Sequence, residues 1–223
     1  MKYPVAESFV SIQGEGKYTG TLMLFVRLAG CNVGEVGKGE NGMPLCTLHD
    51  GRTFTCDTDY KKKEEWTIED FIGEIRKADV YHFCLTGGEP HIHDLSPLVN
   101  EILYSDKQLK IHIETSGTKP IPADIAMNPK VWISCSPKKN FLDKSIREAR
   151  EIKFLVDEHF DYEIAAKLER TIDWVWGDVK FYLQPVNHVN KLNMKNVQRC
   201  IDIQREQPSW RLSLQMHKIL GVR

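Results

Sequence analysis

The chain lacks a dominant charge. Its 223 residues carry 30 Lys and Arg against 31 Asp and Glu, a formal net charge of -1, so it has none of the positive field with which nucleic-acid binders displace counterions from phosphates. It also lacks any run of the ~18 consecutive apolar residues that a membrane helix requires. The stretch that opens Met1-Lys2-Tyr3-Pro4 has no continuous apolar core of the signal-peptide kind. These absences argue against nucleic-acid and membrane partners and for a cytoplasmic protein. Six cysteines are too few for a disulfide scaffold at this length, and a reducing compartment keeps them as thiols. Repeats, low-complexity tracts and a convincing linker are missing as well. A length prior of about 1.5 domains therefore resolves to one domain over 1–223.

What is present is an alternation of strand and helix signals. Leu22 to Leu28 reads as a buried strand. A polar, glycine-rich stretch from Gly30 to about Glu65 follows, with almost no apolar periodicity. Thr67-Ile68-Glu69-Asp70 resembles a capping-box start, with Ile68, Phe71, Ile72 and Ile75 on one helical face. Short apolar strands are expected at 80–85, 109–113, 131–134, 152–156, 181–183 and 212–214. Helical stripes are expected at 95–102, 161–171 and 193–206. Such alternation implies right-handed crossovers and a parallel sheet, here an α/β fold with a partial parallel (β/α)6-type barrel and a long loop after its first strand. Polar sequences follow most strands: Gly-Cys, Thr-Gly-Gly-Glu-Pro, Glu-Thr-Ser-Gly, Ser-Pro-Lys and Gln-Pro. In a parallel sheet all of them fall on the carboxyl edge, where ligands bind.

Three cysteines sit in the long loop with spacing Cys31-x14-Cys46-x9-Cys56. Three thiolates can hold three irons of a 4Fe-4S cluster and leave the fourth open to a ligand that is not protein. Equally, Cys46 and His49 form a Cys-x2-His pair that Cys31 and Cys56 could complete as a Cys3His zinc site, and spacing alone leaves both open. Thr86-Gly87-Gly88-Glu89-Pro90 shifts the balance. Two glycines at a strand end let the backbone approach a ligand, and the neighbouring carboxylate can accept hydrogen bonds from an amino group. Cys84 and Cys135 lie in apolar runs and read as small buried side chains, and Cys200 falls in an expected helix.

The cysteine loop together with Gly-Gly-Glu-Pro resembles the radical S-adenosylmethionine enzymes. Further motifs narrow the resemblance to the 7-carboxy-7-deazaguanine synthase family. They are Ser11-Ile-Gln13-Gly14-Glu15-Gly16, Phe25-Val-Arg27-Leu-Ala-Gly-Cys31-Asn-Val-Gly34, Cys56-Asp57-Thr58-Asp59, His93-Asp94, Glu114-Thr-Ser-Gly117, Ser136-Pro137-Lys138, Gln184-Pro185 and Leu214-Gln-Met-His217-Lys218. They run from one end of the chain to the other. The widened interval between Cys46 and Cys56 departs from the family pattern, and Thr47 to Thr55 are expected to bulge away from the pocket.

The resemblance implies a fold, a reaction and a set of residues. A reduced 4Fe-4S cluster on Cys31, Cys46 and Cys56 would send an electron into S-adenosylmethionine and release a 5'-deoxyadenosyl radical. That radical takes a hydrogen from 6-carboxy-5,6,7,8-tetrahydropterin, which contracts to 7-carboxy-7-deazaguanine with loss of ammonia, a step of queuosine-type 7-deazaguanine biosynthesis. Adenosylmethionine contacts carry over to Gly88, Ser136, Pro137, Lys138, Gln184 and Pro185, with Glu89 accepting from the methionine amine. Substrate contacts carry over to Ile12, Gln13, Gly14, Glu15, Arg27, Thr86 and His217. Magnesium carries over to Thr58, flanked by Asp57 and Asp59. A homodimer and an external electron donor such as a flavodoxin complete the expectation. Two other readings stand beside it. A radical activase of a partner protein would not need the Gln-Gly-Glu-Gly and Arg27 pocket, and a zinc-stabilised binding module would be colourless when purified anaerobically.

Overall fold

The structure is a computed structural model and describes residues 1–56, 58, 61, 63–187 and 192–222. Among the described residues nine strands form one sheet. They are β1 (Lys2–Ile12), β2 (Leu22–Leu28), β5 (Glu64–Thr67), β6 (His82–Gly87), β7 (Lys110–Thr115), β8 (Val131–Cys135), β9 (Glu151–Val156), β10 (Lys180–Pro185) and β11 (Arg211–Leu212), while β3 (Leu45–Thr47) and β4 (Thr53–Thr55) make a separate hairpin. The order is β11-β10-β9-β8-β7-β6-β2-β1-β5. From β2 to β11 every pairing is parallel, and β1 pairs antiparallel with both β2 and β5. The expected parallel α/β sheet is therefore present, with its edges at β5 and β11.

Two sequence expectations need correction. The strand at Leu22–Leu28 is the second of the sheet, so the cysteine loop follows β2. Pro4 and a run of mixed polarity obscure β1 as a strand signal. The stretch from Gly30 to Glu65 also contains structure, because β3 and β4 pair in register Leu45↔Thr55, Cys46↔Phe54 and Thr47↔Thr53. Three-residue strands are too short to leave a period in the sequence.

The helices are α1 (Ile68–Ala78), α2 (Ser96–Ser105), α3 (Ala123–Ala126), α4 (Asp143–Arg147), α5 (Tyr162–Thr171), α6 (Met194–Glu206) and α7 (Met216–Leu220). The capping box at Thr67 forms as read: the Thr67 hydroxyl accepts from the Asp70 amide and the Asp70 carboxylate accepts from the Thr67 amide. Phe71 and Ile75 of α1, Leu98, Val99 and Ile102 of α2, and Cys200 and Ile203 of α6 pack on one face of the sheet. That face carries Phe83, Leu85, Ile111, Ile113, Val131, Ile133, Ile152, Phe154, Phe181 and Leu183.

Strand parity turns the alternate residues to the other face, and many of them are polar: Thr86, His112, Glu114, Ser134, Glu151, Lys153 and Gln184, most of them buried. A parallel sheet normally buries apolar residues on both faces, so this polar inner face marks where the fold serves something other than packing. The segment Gly16–Tyr18 runs across it. The Gly16 amide donates to the Ser213 hydroxyl at 2.9 Å and the Lys17 amide to Glu151 at 3.0 Å, while Tyr18 meets the His112 ring edge-on with centroids 4.6 Å apart. These contacts tie the end of β1 to β9 and β11, so the sheet curls around a central space.

Near the amino ends of β6 and β7, His82 Nδ1 lies 2.8 Å from His112 Nε2. Burial, with the neighbouring His82 and Lys110, pulls the His112 imidazole down to about 3. The unfolded chain, with an ordinary histidine, binds a proton below about pH 6.5 that the native chain refuses until about 3. Stability is therefore fully present above pH 6.5 and is lost as pH falls below it, at up to ~1.4 kcal/mol per pH unit. His112→Gln should flatten this limb. Urea midpoints at pH 7, 6 and 5 measure it above the range where carboxylates titrate, and an equal slope in both proteins would show that another group is responsible.

Candidate active site

A cavity of ≈ 860 Å³ opens at the carboxyl edge of the parallel strands. Its walls come from the ends of β1, β2, β6, β7, β8, β9 and β10, from the β3–β4 hairpin and from the turn into α7. Of the residues that the sequence singled out, Ile12, Gln13, Gly14 and Glu15 line it after β1, Arg27 and Cys31 at β2, and Cys46, Cys56 and Thr58 from the loop. Thr86 and Gly88 line it from β6, Ser136 and Lys138 after β8, Gln184 and Pro185 from β10, and His217 from α7. Asp57 and Asp59 lie outside the described residues. Pro137 is not on the wall. Its neighbours reach the cavity because the Ser136 amide donates to the Thr115 carbonyl at 2.9 Å and the Lys138 amide to the Ser116 carbonyl at 3.2 Å.

The glycines after β6 are there for contact. A Cβ on Gly88 would overlap the Gly30 carbonyl oxygen and come within 2.6 Å of the Cys31 Cβ. Gly87 has φ +132, and a side chain there would meet the Leu28 backbone. The ends of β2 and β6 thus touch through bare backbone, and Cys31 is set against Gly88. Gly14 is equally crowded, since a side chain would collide with the His217 ring. The Met216 amide donates to the Gly14 carbonyl at 3.0 Å and holds α7 in place.

The three loop cysteines converge. Cys46 is buried on β3, and the Cys56 amide donates to the Pro44 carbonyl at 2.8 Å across the base of the hairpin. The Cys46 thiol is raised far above its ordinary value, first by a hydrogen bond with Cys56, then by burial and by the charges of Cys56 and Cys31, so all three sulfurs share one electrostatic neighbourhood. Lys138, half-buried, faces the same thiols. Burial lowers its ammonium, and Cys46, Cys135 and Cys56 work against that. Its Nζ donates to the Ser136 carbonyl at 3.0 Å and lies 5.5 Å from the Phe54 ring centroid.

Among the described residues no three His, Cys, Asp or Glu gather as a site for a single metal ion. The Cys46 thiol hydrogen-bonds with Cys56 and feels the charge of Cys31, and three thiolates gathered on one wall suit a 4Fe-4S cluster whose fourth iron takes a ligand that is not protein. His49 is not on the wall. Its ring tilts against Phe154 at 5.4 Å between centroids, and burial lowers its imidazole. Cys84, Cys135 and Cys200 are fully buried, and burial pushes the thiols of Cys135 and Cys200 up to about 12, as expected of inert packing residues.

Glu89 requires correction. It is fully buried, is absent from the wall, and accepts from the Ser116 amide at 2.7 Å, the Thr115 hydroxyl at 2.9 and 3.0 Å, the His91 amide at 3.1 Å and the Ser116 hydroxyl. A carboxylate with its lone pairs so occupied has no vacancy for a ligand amine. Its work is to tie the end of β6 to the Thr115–Ser116 turn, which leaves the Gly88 backbone as the ligand-facing part of the motif.

Sequence reasoning missed the centre of the polar wall. Lys153 of β9 pairs with Glu15 at 2.6 Å and approaches Glu114 at 3.8 Å. Glu15 also accepts from Gln184 and Gln215, each at 3.0 Å, and Glu114 accepts from Gln13 at 3.2 Å and Thr86 at 2.9 Å. Burial would raise the Glu15 carboxyl, but the Lys153 charge and these hydrogen bonds outweigh it and hold it down to about 2. Burial opposes the Lys153 ammonium too, and Glu15, Glu114 and Glu151 more than restore it. The signal in the sequence was a single lysine within the apolar run Glu151–Val156.

Two carboxylates against one ammonium make a wall that can accept N–H donors. Beside it, Arg27 is the register partner of Thr86 across β2 and β6. Glu7 occupies the Arg27 Nε edge at 2.8 Å, and the Phe9 ring lies 5.6 Å from the guanidinium. The terminal nitrogens of Arg27 are thus the edge that can take a carboxylate.

Comparison with known proteins fits this geometry. No family model matches the chain. The 7-carboxy-7-deazaguanine synthase of Escherichia coli is 32% identical over 235 residues, covering all of both chains. That of Synechocystis sp. is 31% identical over all of this chain and 95% of its own, and that of Bacteroides thetaiotaomicron is 31% identical over all of both. The crystal structure of QueE from Escherichia coli superposes with a TM-score of 0.74 at 29% identity, over 97% of this chain and 95% of that one. Full-length identity above 30% and a shared fold lead to one conclusion: this chain belongs to the 7-carboxy-7-deazaguanine synthase family of radical S-adenosylmethionine enzymes.

Proposed function

We propose that the chain, acting as one domain over 1–223, converts 6-carboxy-5,6,7,8-tetrahydropterin to 7-carboxy-7-deazaguanine with release of ammonia. The observation that carries this reading is a single cavity holding three thiols, the bare Gly88 backbone and an acceptor wall around Lys153. Cys31, Cys46 and Cys56 hold a 4Fe-4S cluster. Gly88, the segment from Ser136 to Lys138 and Gln184-Pro185 receive S-adenosylmethionine. When bound, these groups supply the radical that takes a hydrogen atom from the substrate.

The chain's own residues do the rest. Arg27 takes the substrate carboxylate on its terminal nitrogens. Glu15, kept ionised by Lys153, and Glu114 beside it accept the ring and amino N–H groups, and Gln13 and Thr86 fix the orientation of Glu114. His217 closes the wall against Gly14. The Thr58 hydroxyl contributes a hard oxygen to magnesium, an ion that accepts sites completed by substrate and water. The reading extends to a cytoplasmic homodimer supplied with electrons by a flavodoxin-like donor. No helix among the described residues is long and apolar enough to cross a membrane.

Anaerobically reconstituted protein, given adenosylmethionine and a reductant, should form the deazaguanine and ammonia, each followed by mass spectrometry and ammonia assay. Cys31→Ala, Cys46→Ala and Cys56→Ala should each lose the visible absorbance of the cluster and all product, while His49→Ala keeps both. A His49→Ala protein without cluster beside a Cys56→Ala protein with one would reverse the ligand assignment. Absence of product from fully loaded wild type would refute the reaction.

A further inference from the structure

The widened interval between Cys46 and Cys56 does not bulge away from the pocket, as the sequence suggested. It folds back. Thr53, Phe54 and Thr55 of β4 line the cavity, and the tip of the hairpin is bound to the barrel. The Leu48 amide donates to the Arg52 carbonyl at 2.7 Å to close the turn, with Gly51 at φ +89. Arg52 then reaches out of the turn in three directions. Its Nε pairs with Asp50 at 2.7 Å, its Nη1 with Asp157 at 2.6 Å, and its Nη2 donates to the Leu155 carbonyl of β9 at 2.8 Å. The guanidinium also lies 5.1 Å from the Phe160 ring centroid. The Arg52 and Asp50 side chains are only 13% and 4% exposed. On the other side, the Lys139 amide donates to the Thr47 carbonyl at 3.0 Å.

We propose that Arg52 is a positioning residue for Cys46 and Cys56, a latch that fixes the hairpin joining them to the carboxyl end of β9. This rests on the reading of those cysteines as cluster ligands. Two three-residue strands are far too short to hold a shape on their own, so their placement must come from outside the hairpin. A guanidinium that ion-pairs with Asp157 and donates to the Leu155 carbonyl, while Asp50 of its own turn fixes its Nε edge, supplies it, and a lysine could not make all three contacts. The two cysteines stand at the base of the latched hairpin, opposite Phe54 and just beyond Thr55. A free tip would let both sulfurs drift relative to Cys31, which is anchored separately against Gly88.

The test compares Arg52→Ala, Arg52→Lys and Asp157→Asn with wild type. In the apo-protein, Cys46 alkylation by iodoacetamide, mapped by mass spectrometry, should quicken on the order of tenfold in Arg52→Ala. The reconstituted cluster should lose iron to a chelator faster by a similar factor, in the range seen when partners of metal ligands are removed. Arg52→Lys should recover part of both, and alkylation of Cys200, remote from the hairpin, should be unchanged. Wild-type rates in Arg52→Ala would overturn the latch. If Arg52→Ala does not fold, Asp157→Asn decides by the same two rates, and wild-type values there also overturn it. The alkylation readout needs no cluster. Failure of the ligand assignment, seen as a full iron complement in Cys46→Ala, is therefore distinct from failure of the latch, seen as unchanged alkylation.

Discussion

Lys153→Met should cost about 3–5 kcal/mol of stability, the range found when one partner of a buried ion pair is removed, and should abolish turnover. Lys153 is buried on β9 with Glu15 at 2.6 Å and Glu114 at 3.8 Å. Without the ammonium, two carboxylates are left in a space sized for one cation. They must either take up protons or draw water into the wall. In both cases the acceptors that would receive the pterin N–H groups are altered at the atoms that matter. For a chain of this length 1 kcal/mol corresponds to roughly 2–4 °C in Tm, so a fall on the order of 10 °C is expected in a thermal melt. Glu15→Gln in the Lys153→Met background should restore part of that loss, because it removes one orphaned charge, and should leave activity at zero. A single variant within about 1 kcal/mol of wild type by urea titration would mean that the charges in this wall are solvated and that the pair is not structural.

Gly88→Ala should lower kcat/KM about a hundredfold while leaving most of the protein folded. The added Cβ meets the Gly30 carbonyl oxygen and the Cys31 Cβ, one a backbone atom and the other fixed directly to the backbone that carries the first cysteine. Neither neighbour is a flexible side chain that can swing aside, so the β6 end or the Cys31 loop must move. A displacement of about 1 Å in an oriented site costs on the order of a hundredfold in rate. Gly73→Ala is the matching control. It lies inside α1 with nothing within 4 Å of its added Cβ, and it should stabilise the helix by roughly 0.5–1 kcal/mol. Equal activities for Gly88→Ala and Gly73→Ala in the same assay would show that the β2–β6 contact tolerates a side chain and does not set the site.

The sequence by itself determined the repeating unit and the edge at which chemistry gathers. The parallel strands from Leu22–Leu28 to Lys180–Pro185 were legible because each is a short apolar run between turn residues, and α1 because Thr67 and Asp70 bracket its first turn. Sixteen of the singled-out residues line one cavity. Those at the ends of β2, β6, β8 and β10 do so because parallel strands all end on one side, whereas Ile12 to Glu15 and His217 are carried there by the antiparallel β1, the crossing segment after it and α7. β1 was not legible, because an antiparallel edge partner with Pro4 and mixed polarity has no clean period. Only the tertiary structure decided what strand parity and crossing contacts decide. It turned Glu89 inward, where Thr115 and Ser116 consume its lone pairs, and it brought Lys153 from an apolar strand between Glu15 and Glu114, residues 138 and 39 positions away. It also folded an apparently loose insert into a hairpin latched by Arg52 to Asp157. Local pattern reports which way a chain runs and where it turns. The partner of a buried charge depends on which strands become neighbours, and that is settled only when the sheet curls.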